Sequence, residues 1–120
     1  MPNSKATTGA QPLVDVTALN AVLQDFCSAR HWQPFHSPKN LVMALTGEVG
    51  ELVEIFQWLT EEQSRTLMQE PRQVEAVRDE LADVLIYLVE LAQALGVDLD
   101  AAVRAKLEKN ALKYPADPPS

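Results

Sequence analysis

The sequence predicts an all-α protein, a four-helix bundle completed by homo-oligomerisation. Three observations carry this expectation. Apolar residues recur at helical spacing through two long stretches, about 38–59 and 71–95. No segment alternates with period two for long enough to make a strand. Prolines and a glycine stand where helices would start or stop, at Pro38, Pro71, Gly96 and Pro115. Apolar faces this extensive on a small bundle imply a core that continues across a homo-oligomer interface.

Residues 1–15 are small and polar and read as a disordered tail. The folded domain is expected over 16–115, with a loose tail at 116–120. Thr17 is the candidate N-cap of a first helix that runs to about Arg30, with Leu19, Val22, Leu23 and Phe26 on its apolar face. Two prolines then break continuity in the segment His31–Pro38, which also carries Trp32, Phe35 and His36. Ser37 followed by Pro38 is an N-cap with a first-turn proline, opening a second helix expected to reach Leu59. Gly47 and Gly50 inside that helix each cost about 1 kcal/mol relative to alanine, which suggests close approach by a partner helix or a ligand. Thr60 to Glu70 is polar, with room for a short helix. Pro71 opens a third long helix that ends at Gly96, and Asp98 caps a fourth that runs to about Leu112.

The informative residues are two pairs of acids. Glu48 and Glu51 lie on the second helix, and Glu80 and Asp83 on the third. At about 100° per residue, Glu48 falls inside the arc of Leu41, Leu45, Leu52, Phe56 and Leu59, with Glu51 about 60° round on its margin. Glu80 falls likewise among Val77, Val84, Leu88, Leu91 and Leu95, with Asp83 again about 60° away. One such pair reads best as a wet helix margin making surface ion pairs. Two pairs in matched phase read better as a metal site, because unpaired carboxylates in an apolar seam are costly. Hard oxygen donors select Mg²⁺, Mn²⁺ or Ca²⁺.

Composition narrows the function further. The 120 residues are 47% hydrophobic and 22% charged, as for one globular domain. A net charge of −7 argues against a nucleic-acid polymer as partner, but not against a single nucleotide bridged through a metal. Cys27 is the sole cysteine, so no internal disulfide and no thiol cluster is expected, and it reads as a buried or half-buried helix residue. No apolar run approaches a membrane span and no signal-peptide core is evident, so the expected location is the cytoplasm.

Two further constellations are ambiguous as residues. Lys106, Asn110 and Lys113 form a polar stripe on the last helix, with Lys109 and Tyr114 beside it. It is either a solvated helix end complementing the dipole or a clamp on phosphate oxygens. Asn40, Glu51 and Trp58 share a phase on the second helix. An indole there can stack on a nucleobase, with His36 or Trp32 completing the pocket, or each aromatic can simply pack.

The runs Phe35-His36-Ser37-Pro38-Lys39-Asn40-Leu41, Ala44-Leu45-Thr46-Gly47-Glu48-Val49-Gly50-Glu51-Leu52-Val53-Glu54 and Phe56-Gln57-Trp58 resemble the all-α nucleotide pyrophosphohydrolases of the MazG type. Asp79-Glu80-Leu81-Ala82-Asp83-Val84-Leu85-Ile86-Tyr87-Leu88 resembles that family's second acidic helix. The closing Lys106-x-x-Lys109-Asn110-x-x-Lys113-Tyr114-Pro115 is similar to the C-terminal helix of the dCTP pyrophosphatase group. The resemblance covers about 17–115. It implies Mg²⁺-dependent hydrolysis, with Mn²⁺ as an alternative, of a nucleoside triphosphate to monophosphate and pyrophosphate. The substrate implied is dCTP or a modified pyrimidine dNTP. It implies Glu48, Glu51, Glu80 and Asp83 as catalytic metal ligands, and His36, Asn40, Trp58 and Trp32 around the base. Lys106, Asn110, Lys113 and Tyr114 would serve the phosphate and sugar, in a dimer or a dimer of dimers.

The rivals are a non-catalytic metal- or nucleotide-binding bundle, a dUTP-type pyrophosphohydrolase, and a di-iron carboxylate bundle. The last needs Glu-x-x-His pairs facing inward. This chain offers only His31 and His36, both outside its long helices.

Overall fold

The structure, a computed structural model, describes residues 11–118. Its helices are α1 (Thr17–Ala29), α2 (Pro38–Phe56), the short α3 (Glu61–Arg65), α4 (Pro71–Leu95) and α5 (Leu99–Lys113). Single 3₁₀ turns cover Gln33–Phe35 and Leu67–Gln69. The four long helices expected from periodicity are present, and no strand occurs among the described residues.

The caps explain most of the boundaries. Ser37 accepts a hydrogen bond from the Asn40 N–H at 3.2 Å, with Pro38 at the first helical position. Thr60 and Gln63 make a reciprocal capping box that starts α3. Asp98 accepts from the Ala101 N–H at 3.0 Å and starts α5. Gly96, at φ 68°, closes α4 in the left-handed conformation that glycine adopts without a Cβ clash.

Four expectations need correction. Thr17 is not the cap of α1: Val16 holds that position, and Thr17 instead donates its N–H to Asp15. The second helix stops at Phe56, not Leu59, because the Leu59 N–H bonds to the Phe56 carbonyl in a tight turn and Thr60 is already extended for the next cap. Among the described residues nothing comes within 4 Å of a Cβ added at Gly47 or Gly50, so no described neighbour accounts for either glycine. The tail expected over 1–15 lies mostly outside the described residues, but its end is tied down. Leu13 and Val14 donate their N–H groups to Asp100, and Arg104 donates to the Gln11 carbonyl.

The core is the seam between α2 and α4, with α1 laid against α4. The pair runs antiparallel: Glu48 meets Glu80 and Asp83, while Leu41, near the start of α2, shares a cavity with Glu90 and Gln93 far along α4. Leu41 and Val89 are fully enclosed, with Cys27, Leu67, Val77 and Ala92 also buried. Little else is. The chain has a radius of gyration of 18.5 Å, against about 14 Å for a compact domain of this length. α5 makes no extensive contact with the other helices, and Met43, Val49 and Val53 of α2 and Leu81, Leu85 and Leu88 of α4 are left exposed.

Candidate active site

The antiparallel pairing brings the two acidic helices into register. Ligand oxygens of Glu48, Glu80 and Asp83 all lie within 4.8 Å of one another. All three residues are half-buried. Crowding shows in their chemistry. The Glu48 carboxyl is pushed up to about 7, first by its hydrogen bond with the Glu80 carboxyl, then by desolvation and the charges of Asp83, Glu51 and Glu80. Glu80 Oε1 is buried with no hydrogen-bond partner among the described residues. A divalent cation would relieve both conditions, and three carboxylates are the donor set such a hard ion takes. The residues therefore fit the metal suggested by sequence. Glu51 lies close enough to raise Glu48 but stands on the exposed side, outside the converging trio.

A cavity of about 710 Å³ opens beside the trio, with Asp83 in its wall. Trp32, Phe26, Phe35, Tyr87, His36 and Glu90 supply much of its lining. Trp32 is aimed there by the end of α1. His31 takes a left-handed φ of 55°, and the Trp32 N–H folds back onto the Cys27 carbonyl at 3.0 Å. The indole then packs edge-on to Phe26, ring centroids 5.6 Å apart. A second cavity, of about 370 Å³, adjoins the same floor through Cys27, His36 and Glu90.

Other expected site residues sit elsewhere. Asn40 spends its carboxamide on the Phe35 carbonyl at 2.9 Å, closing the turn before α2. Trp58 lies past the end of its helix, is 86% exposed and lines neither cavity. Lys106, Asn110, Lys113 and Tyr114 are on or just past α5, also away from both cavities. Lys113 there leans over its neighbour Tyr114, Nζ 5.3 Å from the ring centroid.

Three residues at the site escaped sequence reasoning. Tyr87 stands between the acidic trio and Glu90, and burial, then Glu48, Glu90 and Asp83, raise its phenol. Glu90 Oε2 accepts from the Cys27 thiol at 3.4 Å and lies 3.1 Å from His36 Nδ1. Burial and Glu90 together push the Cys27 thiol up. Helical phase was the available signal, since Asp83, Tyr87 and Glu90 follow the i, i+4, i+7 rule for one face.

Comparison with known proteins bears on the family of this chain. The description of the MazG-like family matches residues 44–119, which include both acidic pairs. The chain belongs to the MazG-like family. Among its relatives, dCTP pyrophosphatase 1 of Homo sapiens is 47% identical over 104 residues, covering 87% of this chain and 59% of the human protein. The Bos taurus protein of the same name is 46% identical over 103 residues, covering 86% of this chain and 59% of its own length. The chain thus spans well under two thirds of these curated relatives. A pyrophosphatase from Archaeoglobus fulgidus DSM 4304 superposes with a TM-score of 0.79 at 36% identity, over 89% of this chain and 98% of that one. The all-α fold of this chain is therefore shared by a solved pyrophosphatase at 36% identity.

Proposed function

We propose that this protein hydrolyses a deoxynucleoside triphosphate, dCTP or a modified pyrimidine counterpart, to the monophosphate and pyrophosphate. The observation that carries the proposal is the acidic trio beside an aromatic cavity that Asp83 lines, with Glu80 Oε1 buried and without a hydrogen-bond partner among the described residues. The names borne by its MazG-like relatives support the same substrate. Glu48, Glu80 and Asp83 would hold Mg²⁺, which when bound neutralises phosphate oxygens and acidifies a coordinated water. Glu51, adjacent to the trio but outside it, is free to orient the attacking water and to take its proton on a carboxylate oxygen. Attack at the α-phosphorus breaks the bond to the bridging α–β oxygen, and pyrophosphate carries the charge away. The base lies in the cavity against Trp32 and Tyr87, which exclude water from it.

The lysines of α5 enter this reading across a subunit boundary. Their helix makes no extensive contact with the other helices and the α2–α4 face is bare, and both features favour a homo-oligomer built as a dimer or a dimer of dimers. No helix among the described residues is long and apolar enough to cross a membrane. A cytoplasmic location is part of this proposal, as the place where free nucleotides are met.

The test is pyrophosphate release over natural and modified dNTPs with Mg²⁺. Turnover is expected for cytosine nucleotides and is expected to vanish in Glu48→Gln while the helical circular dichroism persists. Full activity in that variant would remove the trio from the reaction. A protein that binds Mg²⁺ but releases no pyrophosphate from any dNTP would be the non-catalytic bundle instead.

A further inference from the structure

We propose that Glu90 reads the base, accepting a hydrogen bond from the exocyclic amine of a 4-aminopyrimidine and thereby selecting cytosine nucleotides over uracil and thymine. This rests on the pyrophosphohydrolase reading of the same cavity. The first observation is position. Asp83, Tyr87 and Glu90 lie on one face of α4 and all line the larger cavity. Seven residues of helix span about 10 Å, roughly the reach of a nucleoside monophosphate from phosphate to the far edge of its base. With the phosphate at Asp83 and the base over Tyr87, the far edge arrives at Glu90.

The second observation is how Glu90 is held. Its side chain is only 12% exposed, in a wall that is otherwise largely apolar and aromatic. Oε2 is fixed by two neighbours from other elements, the Cys27 thiol of α1 at 3.4 Å and His36 Nδ1 at 3.1 Å. Oε1 has no hydrogen bond among the described residues and is not among the enclosed unpartnered atoms, so it is accessible on a residue that lines both cavities. One oxygen is thus anchored and the other presented, the arrangement of a fixed acceptor. A carboxylate pairs with the N4 amine of cytosine, whereas uracil and thymine present the O4 acceptor at that place. A site that commits a buried acceptor to an amine discriminates strongly against a substrate that lacks it.

The experiment measures dissociation constants for dCTP and dUTP with Mg²⁺, and pyrophosphate release from each, in the wild type, Glu90→Gln and Glu90→Ala. The wild type is expected to favour dCTP. Glu90→Gln, whose amide can donate to O4, is expected to shift the dCTP-to-dUTP binding ratio toward dUTP by about 10- to 100-fold. Glu90→Ala is expected to weaken dCTP binding while leaving dUTP within a few-fold. An unchanged ratio in both variants would overturn the role of Glu90, whatever happens to turnover. Selective binding without pyrophosphate release would leave Glu90 as the base reader and overturn the reaction proposed above. Failure of the wild type to bind either nucleotide would overturn both.

Discussion

Glu48 shows how one residue can set the behaviour of a site. Its carboxyl titrates near 4.5 in an open chain and near 7 in the fold. Below about pH 4.5 both states hold the proton, and the group contributes nothing to the difference. Between 4.5 and 7 the unfolded chain releases its proton while the folded one keeps it, so stability falls as pH rises. Above 7 the loss is complete. Metal-free protein is therefore expected to melt at a lower temperature at pH 8 than at pH 5.5, and Glu48→Gln to flatten much of that difference. Mg²⁺ at pH 8 should restore the melting temperature of the wild type and act weakly on the variant. A metal-free wild type whose melting temperature ignores pH over this range would contradict the crowding of the trio. At the same scale, the convergence of Glu48, Glu80 and Asp83 was legible in sequence, because phase on an amphipathic helix fixes which way a side chain leaves it. The hydrogen bonds that bind Glu90 to Cys27 and His36 were not, since they join three separate elements.

Helix ends carry the next level of information. The same fold-back closes α1 and α4: the Trp32 N–H returns to the Cys27 carbonyl at 3.0 Å, and the Val97 N–H to the Ala92 carbonyl at 2.9 Å. The left-handed residue is glycine in one case, Gly96, and histidine in the other, His31. Gly96→Ala is expected to cost about 1 kcal/mol, and His31→Gly to gain about 0.5 kcal/mol, both read from chemical denaturation. A loss of stability in His31→Gly would mean that the imidazole makes contacts worth more than its backbone strain. Gly96 was readable as a stop signal because glycine is the usual residue there. His31 carried no such mark, and neither did the early end of α2 at Phe56, where a capping box claims Thr60 and leaves Trp58 outside the helix.

At the scale of the whole molecule, the single chain is an unfinished object. Its core holds few buried side chains, while Leu81, Leu85 and Leu88 of α4 and Val49 and Val53 of α2, each on one side of its helix by phase, are exposed. A face this apolar on an acidic chain is expected to be covered by a second copy. Light scattering should give a mass of at least twice 13.3 kDa, with a melting temperature that rises with protein concentration. Leu85→Lys should lower the mass to that of one chain and reduce thermal stability. A stable, monodisperse monomer in the wild type would mean that α5 folds back over this face in solution.

Sequence by itself determined the all-α class, the four long helices, most of their caps and the acidic residues that face inward. Each of these depends on local backbone preference or on side-chain direction along one helix, and both are written into neighbouring residues. Only the tertiary structure decided that Glu51 stands outside the trio, that Asn40 serves a turn, that the α5 lysines lie away from their own chain's cavity, and that Glu90 looks into it. Those facts depend on the register of α2 against α4 and on what α1 lays beside them, and register between distant segments is set by packing that no local pattern encodes.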